Sequence, residues 1–175
     1  MFSIKPLFLA AVILTTAAEA QDLTFGEAEK SKAELAQFEY FRGKWDVEIA
    51  IKQEDGTFKI SENTATVKGY YHSDGRTFQS IFTTSSGAFT TDIRSYDFTK
   101  AKWQVLFMNA TMQRWHSFEA GLEGGNMVTH VIGGYSGKEK FDIKIIDKDV
   151  LHNKFTKEVY RRYHNDENWQ KIYIM

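Results

Sequence analysis

The chain has 175 residues, with 22 Lys and Arg against 23 Asp and Glu, no Cys, a single Pro and 15% aromatic residues. Charge that cancels and is dispersed along the chain excludes the basic stripe of a nucleic-acid binder. The absence of Cys excludes disulfide frameworks and thiol chemistry, so stability must come from packing and hydrogen bonds.

Lys5 precedes an apolar run, "PLFLAAVILTTAA", and Ala18-Glu19-Ala20 forms a small-x-small site before Gln21. This pattern predicts a secretory signal peptide over residues 1–20 and a secreted or periplasmic mature protein. The run is shorter than the roughly 20 apolar residues that span a bilayer, and no later stretch is apolar enough to do so. Residues 21–175 are then one domain, long enough to bury a core.

"TFGEAEKSKAELAQFEYF" is the one helical segment, rich in helix formers, with Ala28, Leu35, Phe38 and Phe41 as its apolar stripe. Gly43 ends it, and from Lys44 onward alternation and β-branched or aromatic residues take over. Turn signals recur at Asp55-Gly56, Ser73-Asp74-Gly75, Ser85-Ser86-Gly87, Thr99-Lys100, Gly124-Gly125-Asn126, Ser136-Gly137, Asp147-Lys148-Asp149 and Asn165-Asp166. Between them the pattern predicts about ten strands, centred near Val47, Ile60, Phe82, Ile93, Val105, Phe118, Val128, Ile143, Phe155 and Ile172. Connections this short leave no room for crossover helices, so the strands form an antiparallel meander. A meander of this length protects its edges best by closing, which predicts an all-β, up-and-down barrel with a short N-terminal helix. Pro6 lies in the leader, so every strand of the mature chain can donate its full ladder of N–H groups.

In the first strand Trp45, Val47, Ile49 and Ile51 alternate with Asp46, Glu48, Ala50 and Lys52, which puts the Trp side inside. "WQVLFMNA" is less decisive, with Trp103, Val105 and Phe107 on one face and Leu106 and Met108 on the other. Two apolar faces suggest that the N-terminal helix covers the outer one.

The Gly-x-Trp of "FRGKW", opening the first strand after a short helix, resembles the signature of the calycin superfamily of lipocalins and fatty-acid-binding proteins. Taken with "DIRSYDFTKAKWQVLF" and the C-terminal "NDENWQKIYIM", it resembles an uncharacterised family of exported bacterial calycin-like barrels. The likeness covers nearly the whole mature chain and implies a fold rather than an activity. No helix follows the barrel and no paired Cys is present, unlike lipocalins. Glu54-Asp55-Gly56 leaves only a tight turn where fatty-acid-binding proteins insert two helices. The resemblance implies that Trp45 plugs the closed end of the barrel beneath a basic side chain from a late strand, with Arg161, Arg162 and Lys171 as candidates.

Motifs that carry chemistry are few. There is no Gly-x-Ser-x-Gly elbow, P-loop, dinucleotide fingerprint or EF-hand loop, so no catalytic residue is assigned. The five His residues show no zinc spacing, although His116 and His130 flank the "GLEGGN" turn on neighbouring strands. Nitrobindins, a related barrel branch, hold haem through a His inside the barrel, so haem stands as an alternative to the expectation of no cofactor. Asn109-Ala110-Thr111 matches a glycosylation acceptor. Arg94 in "TDIRSYD" either faces inward, needing a carboxylate or a ligand anion, or pairs with Asp92 on the surface.

The expected function is binding of a small, largely apolar molecule inside the barrel. Phe82, Phe107, Phe118 and Phe141 form its wall, and Arg94, Asn109 and His116 orient the ligand. Two alternatives remain open: a filled barrel acting through a surface patch, and a haem-binding protein.

Overall fold

The structure is a computed structural model that describes residues 26–136, 139–164 and 166–175, with Tyr135, Ser136 and Glu139 described by their backbone alone. The expected signal peptide, and parts of the turns at Ser136-Gly137 and Asn165-Asp166, lie outside the described residues.

The expected helical segment is helical only over Ala33–Phe41, and there it is a 3-10 helix. Gly26 instead bridges to Tyr71, and Glu29 donates its N–H to Gly75 O. The reason lies in the spacing of the apolar residues. Leu35, Phe38 and Phe41 recur every third position, so three residues per turn align all three on one line, where an α-helix would fan them out. All three are buried. Gly43, with φ at 124°, then takes the left-handed conformation that turns the chain into the sheet.

Twelve strands follow: β1 (Gly43–Val47), β2 (Ala50–Lys52), β3 (Phe58–Ile60), β4 (Ala65–Tyr71), β5 (Thr77–Thr84), β6 (Phe89–Asp97), β7 (Lys102–Asn109), β8 (Arg114–Glu123), β9 (Asn126–Ser136), β10 (Glu139–Leu151), β11 (Lys154–Tyr163) and β12 (Gln170–Ile174). Each of the ten expected centres falls within a strand, but the count is twelve rather than about ten. The first expected strand breaks at Glu48–Ile49 into β1, which pairs with β4, and β2, which pairs with β12 and β3. The second breaks between β3 and β4.

One antiparallel sheet holds all twelve, in the order β1-β4-β5-β6-β7-β8-β9-β10-β11-β12-β2-β3. β1 lies at one end of that order and β2 next to the other, yet only two residues separate them in the chain. The sheet therefore curls back on itself in a barrel-like form. Its twist and hairpin connectivity supply the curvature.

The helix does not cover the outside of this sheet. It sits within one end of the curl, with Phe38 stacked on Phe78 at 5.2 Å between ring centres and edge-on to Trp103 at 5.0 Å. Phe41 meets Phe155 edge-on at 5.2 Å. The helix approaches β4 so closely at Gly69 that a Cβ there would lie 2.4 Å from Phe41 O. Tyr71 donates its hydroxyl to Leu35 O, and Trp103 Nε1 donates to Gln37 at 3.0 Å. The outer face is correspondingly open, with Ile93, Leu106 and Trp115 exposed, the last by 65%.

Candidate functional site

Along the inner faces of β5, β7 and β8 burial falls from Phe78, Trp103 and Ala120 towards the opposite end, whereas β4 stays buried from Tyr71 to Ala65. On β7, Trp103 is 0% and Val105 3% exposed, while Phe107 and Asn109, on the same face, are only half-buried. β5 repeats the trend from Phe78 through Ser80 to Phe82, and β8 from Ala120 to Phe118 and His116. Phe78 and Phe82 are separated by about 13 Å of strand at the usual rise per residue. On these three strands the inner face is thus packed where the helix sits and less covered towards the opposite end. Phe107 pairs directly with His116, their rings 6.4 Å apart and nearly parallel, and Phe107 and Phe118 lie 6.1 Å apart. Phe82 pairs with Thr90, which pairs with Asn109.

Beneath the helix the packed end carries four charges in two compensated pairs. Arg94 faces inward and binds Asp92 through Nε at 2.6 Å and Nη2 at 2.8 Å. Ser80 donates to the same carboxylate at 2.8 Å. The guanidinium also lies 4.4 Å from the ring centre of Phe38. Lys157 Nζ lies 2.7 Å from both oxygens of Asp147, which also accepts the Tyr40 hydroxyl. Burial presses the Arg94 pKa down, but the Asp92 charge and hydrogen bonds outweigh it and leave the guanidinium more firmly protonated than usual. Burial lowers the Lys157 ammonium against the opposing pull of Asp147, and burial with the adjacent Asp147 charge raises the Tyr40 hydroxyl far above its ordinary value. With its donors engaged by Asp92 and its face by Phe38, Arg94 belongs to the floor.

The candidate wall residues Phe82, Phe107, Phe118 and Phe141 all lie on the inner face, as do His116 and Asn109. Asn109 Oδ1 accepts the Met112 N–H at 2.9 Å and so closes the β7–β8 turn. Phe141 is nearly covered, by the Arg161 guanidinium at 4.9 Å and the edge of Tyr163 at 6.3 Å. Two inward-facing cations lie at the open end: Arg114, paired with Asn109, which sequence reasoning passed over, and Arg161, paired with Ile143, which it assigned to Trp45. Strand parity was the available signal, since Arg114 is two residues from His116 and Arg161 two from buried Val159.

Other expectations separate on geometry. His130 pairs with Glu119, opposite to the face of Ala120 and His116, and hydrogen-bonds Glu123 at 2.9 Å; the two His residues therefore lie on different faces. Trp45 packs edge-on against Phe155 at 5.0 Å and donates Nε1 to Phe41 O. None of its three candidate basic partners reaches it among the described contacts. Arg161 lies over Phe141, Arg162 over Trp169 at 4.7 Å, and Lys171 over Tyr160 at 5.5 Å. On the outer face, a groove of about 410 Å³ is lined by Asp142, Arg162, His164, Asp166 and Glu167. There the Asp142 carboxylate is occupied by Arg162 at 2.9 Å, Gly133 N–H at 3.1 Å and His164 at 3.3 Å. Among the described residues no cluster of three His, Asp or Glu is arranged to hold a metal ion, and no helix is long and apolar enough to cross a membrane.

No protein-family model matches the chain, and a search of curated proteins finds no significant match.

Proposed function

We propose that this chain is an exported, calycin-like barrel protein that sequesters a small, largely apolar molecule in the open half of its cup, without transforming it. The observation that carries this reading is the one-directional loss of burial along the inner faces of β5, β7 and β8. Inward-facing Phe82, Phe107 and Phe118 keep water-accessible surface that a filled barrel would cover, and each half-buried ring gains on the order of 1 kcal/mol when a ligand completes its burial. His116 and the Asn109 amide supply the few polar contacts that orient a ligand in an apolar site. Native mass spectrometry of freshly purified protein tests the proposal. A co-purifying small molecule, lost when Phe107 and Phe118 are both changed to Ala, is the expected result; a mass spectrum of bare protein together with failure to bind any apolar dye overturns it.

A second reading has its own observation. His116 faces the cup beside the Phe107 ring, and no hydrogen bond engages its imidazole among the described residues, so the ring nitrogens are free to ligate iron. The residues present fit one axial ligand and an apolar bed for a flat macrocycle. Titration with haem, followed by absorbance near about 400 nm, should show a His116-dependent shift if this reading holds; an unchanged spectrum removes it.

A further inference from the structure

The outer face of the sheet carries a surface that the cup does not use. Strand register joins Lys44, Lys68, Ile81, Thr91, Met108 and Trp115 into one outward-facing row across β1, β4, β5, β6, β7 and β8, about 24 Å from end to end at the usual strand spacing. The next row towards the helix end sets Ile93 beside Leu106, between Gln79 and Ser117. Trp115 is 65%, Leu106 48% and Ile93 40% exposed. The turns that close these hairpins, residues 85–88 and 110–113, hold no charged residue, and the second exposes Met112. An exposed apolar stripe of this extent, rimmed by polar residues, marks a contact surface.

The two lysines at the β1 end of the row decide what the stripe contacts. Lys44 and Lys68 face each other directly across β1 and β4, and like charges so placed destabilise an antiparallel pair. Both are exposed, and neither forms an ion pair or a side-chain hydrogen bond among the described residues, not even with Asp46, the next outward residue of β1. Arg42 beside them is already engaged by Glu27 and Glu39. Together with Gly69 and Tyr70 they border a shallow hollow of about 140 Å³. Neither row holds an Asp or Glu, so a second copy laid row against row would bring the lysines no counter-charge. An anionic lipid surface supplies both halves of the complement: phosphate oxygens for the ammonium groups and an acyl boundary for Met108, Leu106 and the Trp115 indole, a ring that suits the headgroup level.

We infer that this outer face docks the protein on a membrane surface that contains anionic phospholipid, with Lys44 and Lys68 at the headgroup phosphates and Met108, Leu106 and Trp115 at the acyl boundary. Peripheral binding of this kind adds electrostatic attraction to buried apolar area, so both ends of the row contribute. The electrostatic part fades within a Debye length, about 10 Å at 0.1 M salt, which confines it to lysines held at the surface itself. The inference concerns the outside of the same strands and does not depend on what the cup holds.

Sedimentation with sucrose-loaded vesicles tests it, using protein purified after export and vesicles of phosphatidylcholine alone or with about one-third phosphatidylglycerol. The wild type should bind the mixed vesicles at least about tenfold more tightly than the neutral ones, and lose that preference as salt is raised towards about 0.5 M. Lys44→Gln with Lys68→Gln should abolish the preference, whereas Lys52→Gln with Lys59→Gln, which removes the same charge from exposed positions on β2 and β3, should leave it within about twofold. Leu106→Ser with Trp115→Ser should weaken binding to the mixed vesicles at least about tenfold. All six positions are exposed, and unchanged circular dichroism verifies that each variant is folded. Absence of wild-type binding to the mixed vesicles overturns the inference, and a Trp115-dependent dimer in ultracentrifugation would then assign the stripe to a second copy. Equal loss from the two lysine pairs, or full binding by the Leu106 and Trp115 double variant, overturns the assignment to this face.

Discussion

The guanidinium of Arg94 lies 4.4 Å from the ring centre of Phe38 and, in its own plane, binds Asp92 at 2.6 and 2.8 Å. One side chain of β6 thus anchors the N-terminal helix through its face and compensates a buried carboxylate through its edge. Removing it strands that carboxylate. Arg94→Met should destabilise the protein by about 3–5 kcal/mol, whereas Asp92→Leu combined with Arg94→Met should recover most of the loss, because the desolvation penalty then disappears with the charge. Urea unfolding of the two variants measures this. A double variant no more stable than Arg94→Met alone contradicts it.

The burial gradient makes a comparison within one strand. Trp103 and Phe107 occupy the same face of β7, but only Trp103 is packed by the helix, through Phe38 and Gln37. Trp103→Ala should cost about 3–5 kcal/mol, and Phe107→Ala under about 2, since little packed volume is lost from an open wall. Ligand affinity should respond in the opposite order. Equal destabilisation by the two changes would mean that the barrel is filled throughout.

Tyr40 and Lys157 converge on Asp147, and they do so with different weights. Tyr40→Phe removes one neutral donor and should cost about 1–2 kcal/mol. Lys157→Met leaves a buried carboxylate without its counter-charge and should cost about 3–5 kcal/mol. Thermal or urea unfolding ranks them, and a larger effect for Tyr40→Phe would show that the charge is compensated elsewhere.

Glu158 on β11 is a carboxylate that carries acid sensitivity on the outer face. Burial works to raise its pKa, but Lys171 at 2.6 Å, Tyr160 at 2.7 Å and Lys148 at 3.3 Å together hold it down at about 2, against an ordinary 4.5. A carboxyl whose pKa is lowered by folding stabilises the native state above its unfolded pKa and loses that contribution as pH falls through the folded one. The stability difference between wild type and Glu158→Gln should therefore be constant above about pH 5, on the order of 1–3 kcal/mol, and shrink towards zero between about pH 4.5 and 2. Urea unfolding of both proteins across that range checks the window. A difference that does not change with pH excludes ionised Glu158 as its source.

Much of the sheet is legible residue by residue. Every expected strand centre falls in a strand, because short turns rich in Gly, Asp and Ser leave the intervening alternation little freedom. One of the two extra strands escapes notice because Glu48–Ile49 carries no Gly or Pro. The chain changes partner there, from β4 to β12, and partner choice leaves no local mark. The helix shows why periodicity needs its packing partner. Leu35, Phe38 and Phe41 read as part of an α-helical stripe until Phe78, Trp103 and Phe155 select the three-residue repeat.

The candidate site divides in the same way. Strand parity places Phe107, Asn109, His116 and Phe118 on one face, and that much the amino-acid order determines by itself, since neighbouring side chains along a strand must point to opposite sides. Whether that face is filled or open depends on how far the helix reaches into the curl, and whether an inward Arg is compensated depends on carboxylates many residues away. Arg94 finds Asp92 on its own strand, Lys157 finds Asp147 across a hairpin, and Arg161 finds no carboxylate among the described residues. Only the tertiary structure decides such pairings, because electrostatic and packing complementarity depend on distance in space, which local sequence does not encode.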